Sequence, residues 1–116
     1  MRHLKKGRKF HRKKGQRKAF LKILGSNLIL SDSIITTDPR AKELRSFIEK
    51  KITRAKKSDL NSIRYLRRYF SGKVVEKLIK EIAPLSKKRK GGYTRIIKIG
   101  QRKSDGAKIV KIELVK

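Results

Sequence analysis

SIITTDPRAKELRSFIEKKITRA, residues 33–55, changes its periodicity once, and that change decides the fold. Ser33 to Thr37 is short and rich in β-branched residues, which is the composition of a strand. Asp38-Pro39 then gives a helix start, because an Asp side chain can cap orphan N–H groups and Pro suits the first turn. Ala41, Leu44, Ile48 and Ile52, with Phe47 and Ala55, recur at helical spacing and predict one apolar face running to about Ala55. A strand leading directly into an amphipathic helix implies sheet and helix sharing one core.

The neighbouring segments extend this reading. Upstream, Phe20, Leu24 and Leu28, with Leu21 alongside, predict a helix over 16–30. Arg17, Lys18 and Lys22 fall near its start, where cations oppose the helix dipole and an RNA phosphate would reverse the penalty. Downstream, Ser58 can cap a third helix carrying Leu60, Ile63, Leu66 and Phe70 and ended by Ser71-Gly72. Val74, Val75, Leu78, Ile79 and Ile82 predict a fourth helix stopped by Pro84. Tyr93–Ile99 and Ala107–Val115 read as strands around a turn-rich Gly100–Gly106. The order is α-β-α-α-α-β-β. The fold class is therefore α+β: one small domain over 16–116, with a three-stranded mixed sheet packed by helices, preceded by an extended basic arm over 1–15.

Charge sets the function class. Of the 116 residues, 36 are Lys or Arg and 9 are Asp or Glu, a net charge of +27. Self-repulsion of that size destabilises a compact state, so the compensating anions are expected on a partner: RNA, DNA or an anionic membrane. The excess is uneven, at +11 over residues 1–31, +7 over 32–85 and +9 over 86–116. The arm, MRHLKKGRKFHRKKG, has no apolar period and reads as disordered until bound. Its cations bind phosphate by charge-assisted hydrogen bonds and counterion release. Arms that fold on binding suit irregular RNA, which favours RNA over DNA. The membrane reading falls behind because the arm has no facing apolar stripe and no run is long enough to span a bilayer.

Other constellations are weaker. SKKRKGG (86–92) sets Lys87, Lys88, Arg89 and Lys90 before a glycine pair and predicts a second phosphate clamp. His3 and His11 are the only histidines, and with no cysteine in the chain and no acid in the arm neither has partners for a metal. RNA hydrogen bonding or stacking is the better use for both. Phe10 has no core to join and is open to stacking on RNA; Tyr65 and Tyr69, at i and i+4, fit core-edge packing; Tyr93 fits either. Serines are present, but no histidine lies in the globular part to act as base, and no phosphate-binding glycine motif occurs. No enzyme, cofactor or metal is expected. A DNA-compacting protein and an RNA-cleaving or RNA-modifying enzyme are the rival readings.

Four stretches resemble the bacterial ribosomal large-subunit protein 17 family: MRHLKKGRKFHRKKGQRKAF (1–20), IITTDPRAKELR (34–45), GGYTRIIKIG (91–100) and IELV (112–115). The match runs nearly end to end in order, with departures at Leu4 and at Lys50-Lys51, where the family is often apolar. The matched positions are Arg2, His3, Gly7, Arg8, Arg17, Lys18, Thr36, Thr37, Arg40, Lys42, Gly91, Gly92, Tyr93 and Arg95. The resemblance implies a structural constituent of the large ribosomal subunit, in the cytoplasm. It implies binding to 23S-type large-subunit rRNA and to neighbouring ribosomal proteins near the peptide exit region, with no membrane and no small-molecule substrate. The candidate RNA-binding residues are Arg2, His3, Lys5, Lys6, Arg8, Lys9, His11, Arg12, Lys13, Lys14, Arg17, Lys18, Arg40, Lys42, Lys88, Arg89, Lys90 and Arg95.

Deleting residues 2–14 should remove much of the salt dependence of RNA binding while leaving helical circular dichroism largely intact. An unchanged slope of log affinity against log salt would count against an RNA-binding arm.

Overall fold

A computed structural model describes residues 7–115. The elements run α1 (Lys14–Ser31), β1 (Ser33–Thr37), α2 (Asp38–Ala55), α3 (Leu60–Arg67), α4 (Gly72–Lys77, continued by Leu78–Ile82 and Ala83–Leu85), β2 (Thr94–Gln101) and β3 (Lys108–Leu114). Order and class are those expected. The sheet is not mixed, however: its order is β1-β3-β2 and both pairings are antiparallel. The strand formed last in the chain lies in the centre. The long helical excursion after β1 leaves a place beside β1 that β3 fills on its return from β2.

Register explains which face is buried. Ile112 of β3 stands opposite Ile34 of β1 and Ile96 of β2, and all three pack into the core. One residue along, Lys111 stands opposite Ile35 and Ile97, both exposed. The period of two thus turns one face to the helices and one to solvent. Against the inner face, α2 presents Ala41, Leu44, Ile48, Ile52 and Ala55, all fully buried at i, i+3, i+4 spacing. From α1 come Leu28 and Ile29, and from the later helices Leu66, Phe70, Val74 and Leu78. Gly25 lets α1 approach α2 closely. A Cβ there would stand 3.2 Å from ring atoms of both Phe47 and Phe70.

The helix ends correct several expectations. Asp38 is the first helical residue rather than the cap; Thr37 holds the cap position, with an extended backbone. The acid still favours that end of α2 through the dipole, and it pairs with Lys42 at 3.1 Å. Ser58 does not cap α3. It takes a left-handed φ of 54° and donates its hydroxyl to the Ala55 carbonyl, closing α2. Asp59 caps α3 instead, its carboxylate accepting the Ser62 N–H at 2.8 Å. α3 ends at Arg67 and a turn carries the chain to Phe70, so Ser71-Gly72 opens α4 rather than closing α3. Pro84 does not stop α4. Its ring would clash with the carbonyl four residues back in a regular helix, but the preceding turn is widened, with the Ala83 N–H donating to the Leu78 carbonyl five residues back. α1 begins at Lys14, two residues before the expected start, so Gly15 lies in its first turn.

Leu44 lies fully buried where α2 meets the core. Leu44→Ala should cost about 2–5 kcal/mol, read as a lower urea midpoint with unchanged slope; a neutral substitution would mean that this stripe does not face the core.

Candidate nucleic-acid interface

Segment 7–13 folds back on the first two helices. Lys9 to Arg12 form a tight turn, with the Arg12 N–H donating to the Lys9 carbonyl at 3.0 Å and Phe10 and His11 at φ 53° and 52°. Two consecutive left-handed residues define a turn that normally takes Asn or Gly. Non-glycine residues hold it at a cost of order 1 kcal/mol each, so surrounding contacts must fix it. Those contacts converge on Phe20. The Phe10 ring meets it edge-on at 5.6 Å, Arg12 lies 4.1 Å from its centroid and Arg40 of α2 lies 5.2 Å from it. The expectation that Phe10 has no core to join is therefore corrected. It joins a satellite cluster at the edge of the domain, because Phe20 is only half-buried and offers it a ring.

Main-chain carbonyls and one carboxylate orient the guanidinium groups. Arg12 donates to the Phe10 carbonyl at 3.1 Å, Arg17 to the Arg12 carbonyl at 2.8 Å and Arg8 to Glu43 at 2.8 Å. The first turn of α1 holds no acid, and the Lys13 N–H is met by the Gln16 side chain. Exposed Lys9, His11, Lys13, Lys14 and Lys18 surround this rigid base. Arg8, Lys9, His11, Arg12, Lys13, Lys14, Arg17, Lys18 and Arg40 are thus gathered around the start of α1. Lys42 points its charge at Asp38. Arg2, His3, Lys5 and Lys6 lie outside the described residues.

The second predicted clamp lies elsewhere. Lys88, Arg89 and Lys90 are exposed in the loop before β2. Lys56, just past α2, donates to the Arg89 carbonyl and, at 2.9 Å, to the Tyr93 hydroxyl. Tyr93 itself is buried, which settles its role as an anchor for the loop. The Lys56 ammonium holds the Tyr93 phenol below its ordinary pKa. Arg40 and Lys56 sit sixteen residues apart on and just beyond one helix, about 24 Å along its axis, so the clamps are separate. Arg95 stands on β2, exposed and paired with Glu113 at 3.3 Å.

Sequence reading missed Lys51. It is 5% exposed although ionisable, with its ammonium 3.6 Å from the Tyr69 ring centroid and 4.6 Å from that of Tyr65, whose hydroxyl it meets at 2.7 Å. Tyr65 and Tyr69 pack at the core edge, as expected from their spacing. Burial pushes the Lys51 ammonium below its ordinary pKa, against an opposing pull from Tyr69. Only the apolar expectation at this place in the helix hinted at it.

Among the described residues, no helix is long and apolar enough to cross a membrane, and no group of three or more His, Cys, Asp or Glu could hold a metal. Fold and surface define a small, strongly basic α+β domain that gathers arginines around an aromatic edge. The sequence matches the family described as Ribosomal protein L17 over residues 20–115. It is 48% identical to the large ribosomal subunit protein bL17 of Pelobacter propionicus, over 99% of this chain and 91% of that one. It is 49% identical to the bL17 of a Sulfurihydrogenibium species, covering 99% and 97%. For the bL17 of Campylobacter concisus the identity is 48%, covering 99% and 98%. The chain belongs to the ribosomal protein L17 family, a structural and non-enzymatic component of the large ribosomal subunit.

A lysine whose pKa is lowered on folding binds fewer protons in the native than in the unfolded state, so stability rises with pH there. Wild-type stability should climb between the lowered Lys51 pKa and 10.5, the unfolded reference. Lys51→Met should lose that part of the climb and be at least as stable as wild type at pH 7. Parallel denaturation curves at pH 7 and 10 check this, and identical pH profiles would refute it.

Proposed function

We propose that this protein acts in the cytoplasm, within the large ribosomal subunit, by binding and stabilising 23S-type rRNA through phosphate neutralisation and shape recognition. In this role it supports subunit assembly and translation. The observation that carries the reading is the Phe20-centred arginine cluster at the start of α1. Arginine forks suit phosphate oxygens bidentately, and an acid-free helix N-terminus favours an anion. Because carbonyls and Phe20 already orient Arg12 and Arg17, little side-chain freedom is lost when RNA arrives.

In this reading residues 1–15 form the RNA-binding arm: the turn at Lys9–Arg12 aims it, and Arg2, His3, Lys5 and Lys6 extend the contact. The domain over 16–116 supplies Arg40 and Lys42 beside the arm. The loop cations Lys88, Arg89 and Lys90, with Arg95, touch a second RNA segment. Two clamps about 24 Å apart hold two backbone segments at a set separation, which reads shape rather than sequence. Neighbouring large-subunit proteins near the peptide exit region complete the setting, with no membrane and no small-molecule substrate.

Replacing Arg8, Arg12 and Arg17 together by Gln should weaken binding to large-subunit rRNA and reduce its salt slope by about 0.7–0.9 for each phosphate no longer neutralised. Duplex DNA should compete poorly at physiological salt. Equal affinity for rRNA and duplex DNA, or turnover of the RNA, would overturn the reading in favour of a DNA-compacting protein or an enzyme.

A further inference from the structure

A groove between α1, α2 and α3 adjoins the first clamp, with which it shares Lys18, and extends away from it along α3. It is an open groove of about 620 Å³, within the range of clefts that hold a small molecule. Lys18 and Lys22 line it from α1, Lys50 from α2, and Arg68 from the end of α3, with the rings of Phe47 and Tyr69 between them. The one carboxylate in the lining, Glu43, is already engaged by Arg8.

The aromatic side is built rather than incidental. Tyr69 lies 5.2 Å from Tyr65 and 6.0 Å from Phe47, centroid to centroid. Lys51 lies among all three rings, 5.0 Å from Phe47 and nearer to both tyrosines. Its charge therefore sits in the floor of the groove, where solvent screens it least. Lys22 reaches to 5.5 Å from the Tyr69 centroid. Rings and cations in one cleft make two kinds of offer at once: aromatic surface against which a base can pack, and point charges for phosphate.

We infer that this groove receives one unpaired nucleotide of a single-stranded rRNA segment, its base stacked on the Tyr69 side and its flanking phosphates held by Lys18, Lys22, Lys50 and Arg68. Single-stranded RNA is recognised by this combination of aromatic platform and cationic rim. An acidic peptide would satisfy the cations but leave the rings unused. The inference rests on the proposed rRNA-binding function and adds to it a site, a structural class of RNA and a specificity element, since a paired nucleotide has no free base to insert.

Ultraviolet cross-linking of the full chain to naked large-subunit rRNA, followed by trypsin and mass spectrometry, tests this directly. Cleavage after Arg68 and Lys73 isolates residues 69–73, and a nucleotide adduct on Tyr69 is expected there. In equilibrium binding, Tyr69→Leu should weaken rRNA binding about tenfold and Tyr69→Phe should bind like wild type, a pattern that simple misfolding does not give once both variants match wild type in circular dichroism. Replacing Lys22, Lys50 and Arg68 by Gln should lower the salt slope by about 1.4, at about 0.7 for each of the two flanking phosphates. Adducts confined to other peptides, or a groove variant with unchanged slope, overturn the site. If the Arg8, Arg12 and Arg17 variant still loses affinity in the same assay, the failure belongs to the groove alone; if neither variant loses affinity, the proposed function fails as well. A groove variant that keeps its rRNA affinity but loses a neighbouring ribosomal protein on reconstitution marks a peptide surface, and also overturns the inference.

Discussion

Repulsion among like charges is the constraint on which the rest of this structure depends. With 36 basic and 9 acidic residues, even complete internal pairing leaves a charge of +27. The carboxylates are placed where they work hardest. Asp38 and Glu76 pair with lysines one helical turn on, Glu43 ties down Arg8, and Asp32 meets Lys77. Asp105, drawn down to a pKa of about 2 by Arg102, closes the turn between β2 and β3. These exposed pairs contribute little each. Asp38, Asp32 and Asp105 lie beside helix ends or in a turn, where pairing trims repulsion as the chain bends.

What remains falls to the core, and the core is small. Its favourable term is the burial of the α2 stripe against β3 and the helices around it. That stripe was legible in the sequence because Ala41, Leu44, Ile48, Ile52 and Ala55 keep helical spacing without interruption. Alternation in β3 was equally plain: Val110, Ile112 and Leu114 face in. The pairing direction of the sheet was not legible, since a period of two says which residues share a face and nothing about which strand lies beside which. Helix ends failed for a related reason. Ser58 and Asp59 are both good cap residues, and only the left-handed backbone at Ser58 decides between them.

The candidate interface divides the same way. Density of cations was legible in the sequence, and the structure brings Arg12 and Arg40 together on Phe20. Their order was hidden. Nothing local predicts that Phe10 and His11 adopt a left-handed turn, because that turn is enforced by Phe20, ten residues further along the chain, and by Arg40, thirty residues away from Phe10. For Tyr93 the sequence leaves stacking and packing both open, and the structure decides. Its ring is buried, and its hydroxyl, through Lys56, fixes the loop that carries the second set of cations.

Lys51 joins the two themes. An ammonium at 5% exposure is unfavourable for folding, and desolvation lowers its pKa. An apolar residue would pack there at no such cost. A lysine in place of an apolar residue at the junction of three rings makes sense if charge at that depth serves something other than stability. The cost is limited because the rings offer their negative faces and Tyr65 its hydroxyl. It would be offset further by any polyanion settling over the groove. Under the proposed rRNA-binding function, stability and binding are then one quantity seen at two stages: the free domain tolerates cations it cannot neutralise, and a bound polyanion that supplied the missing anions would stabilise the fold.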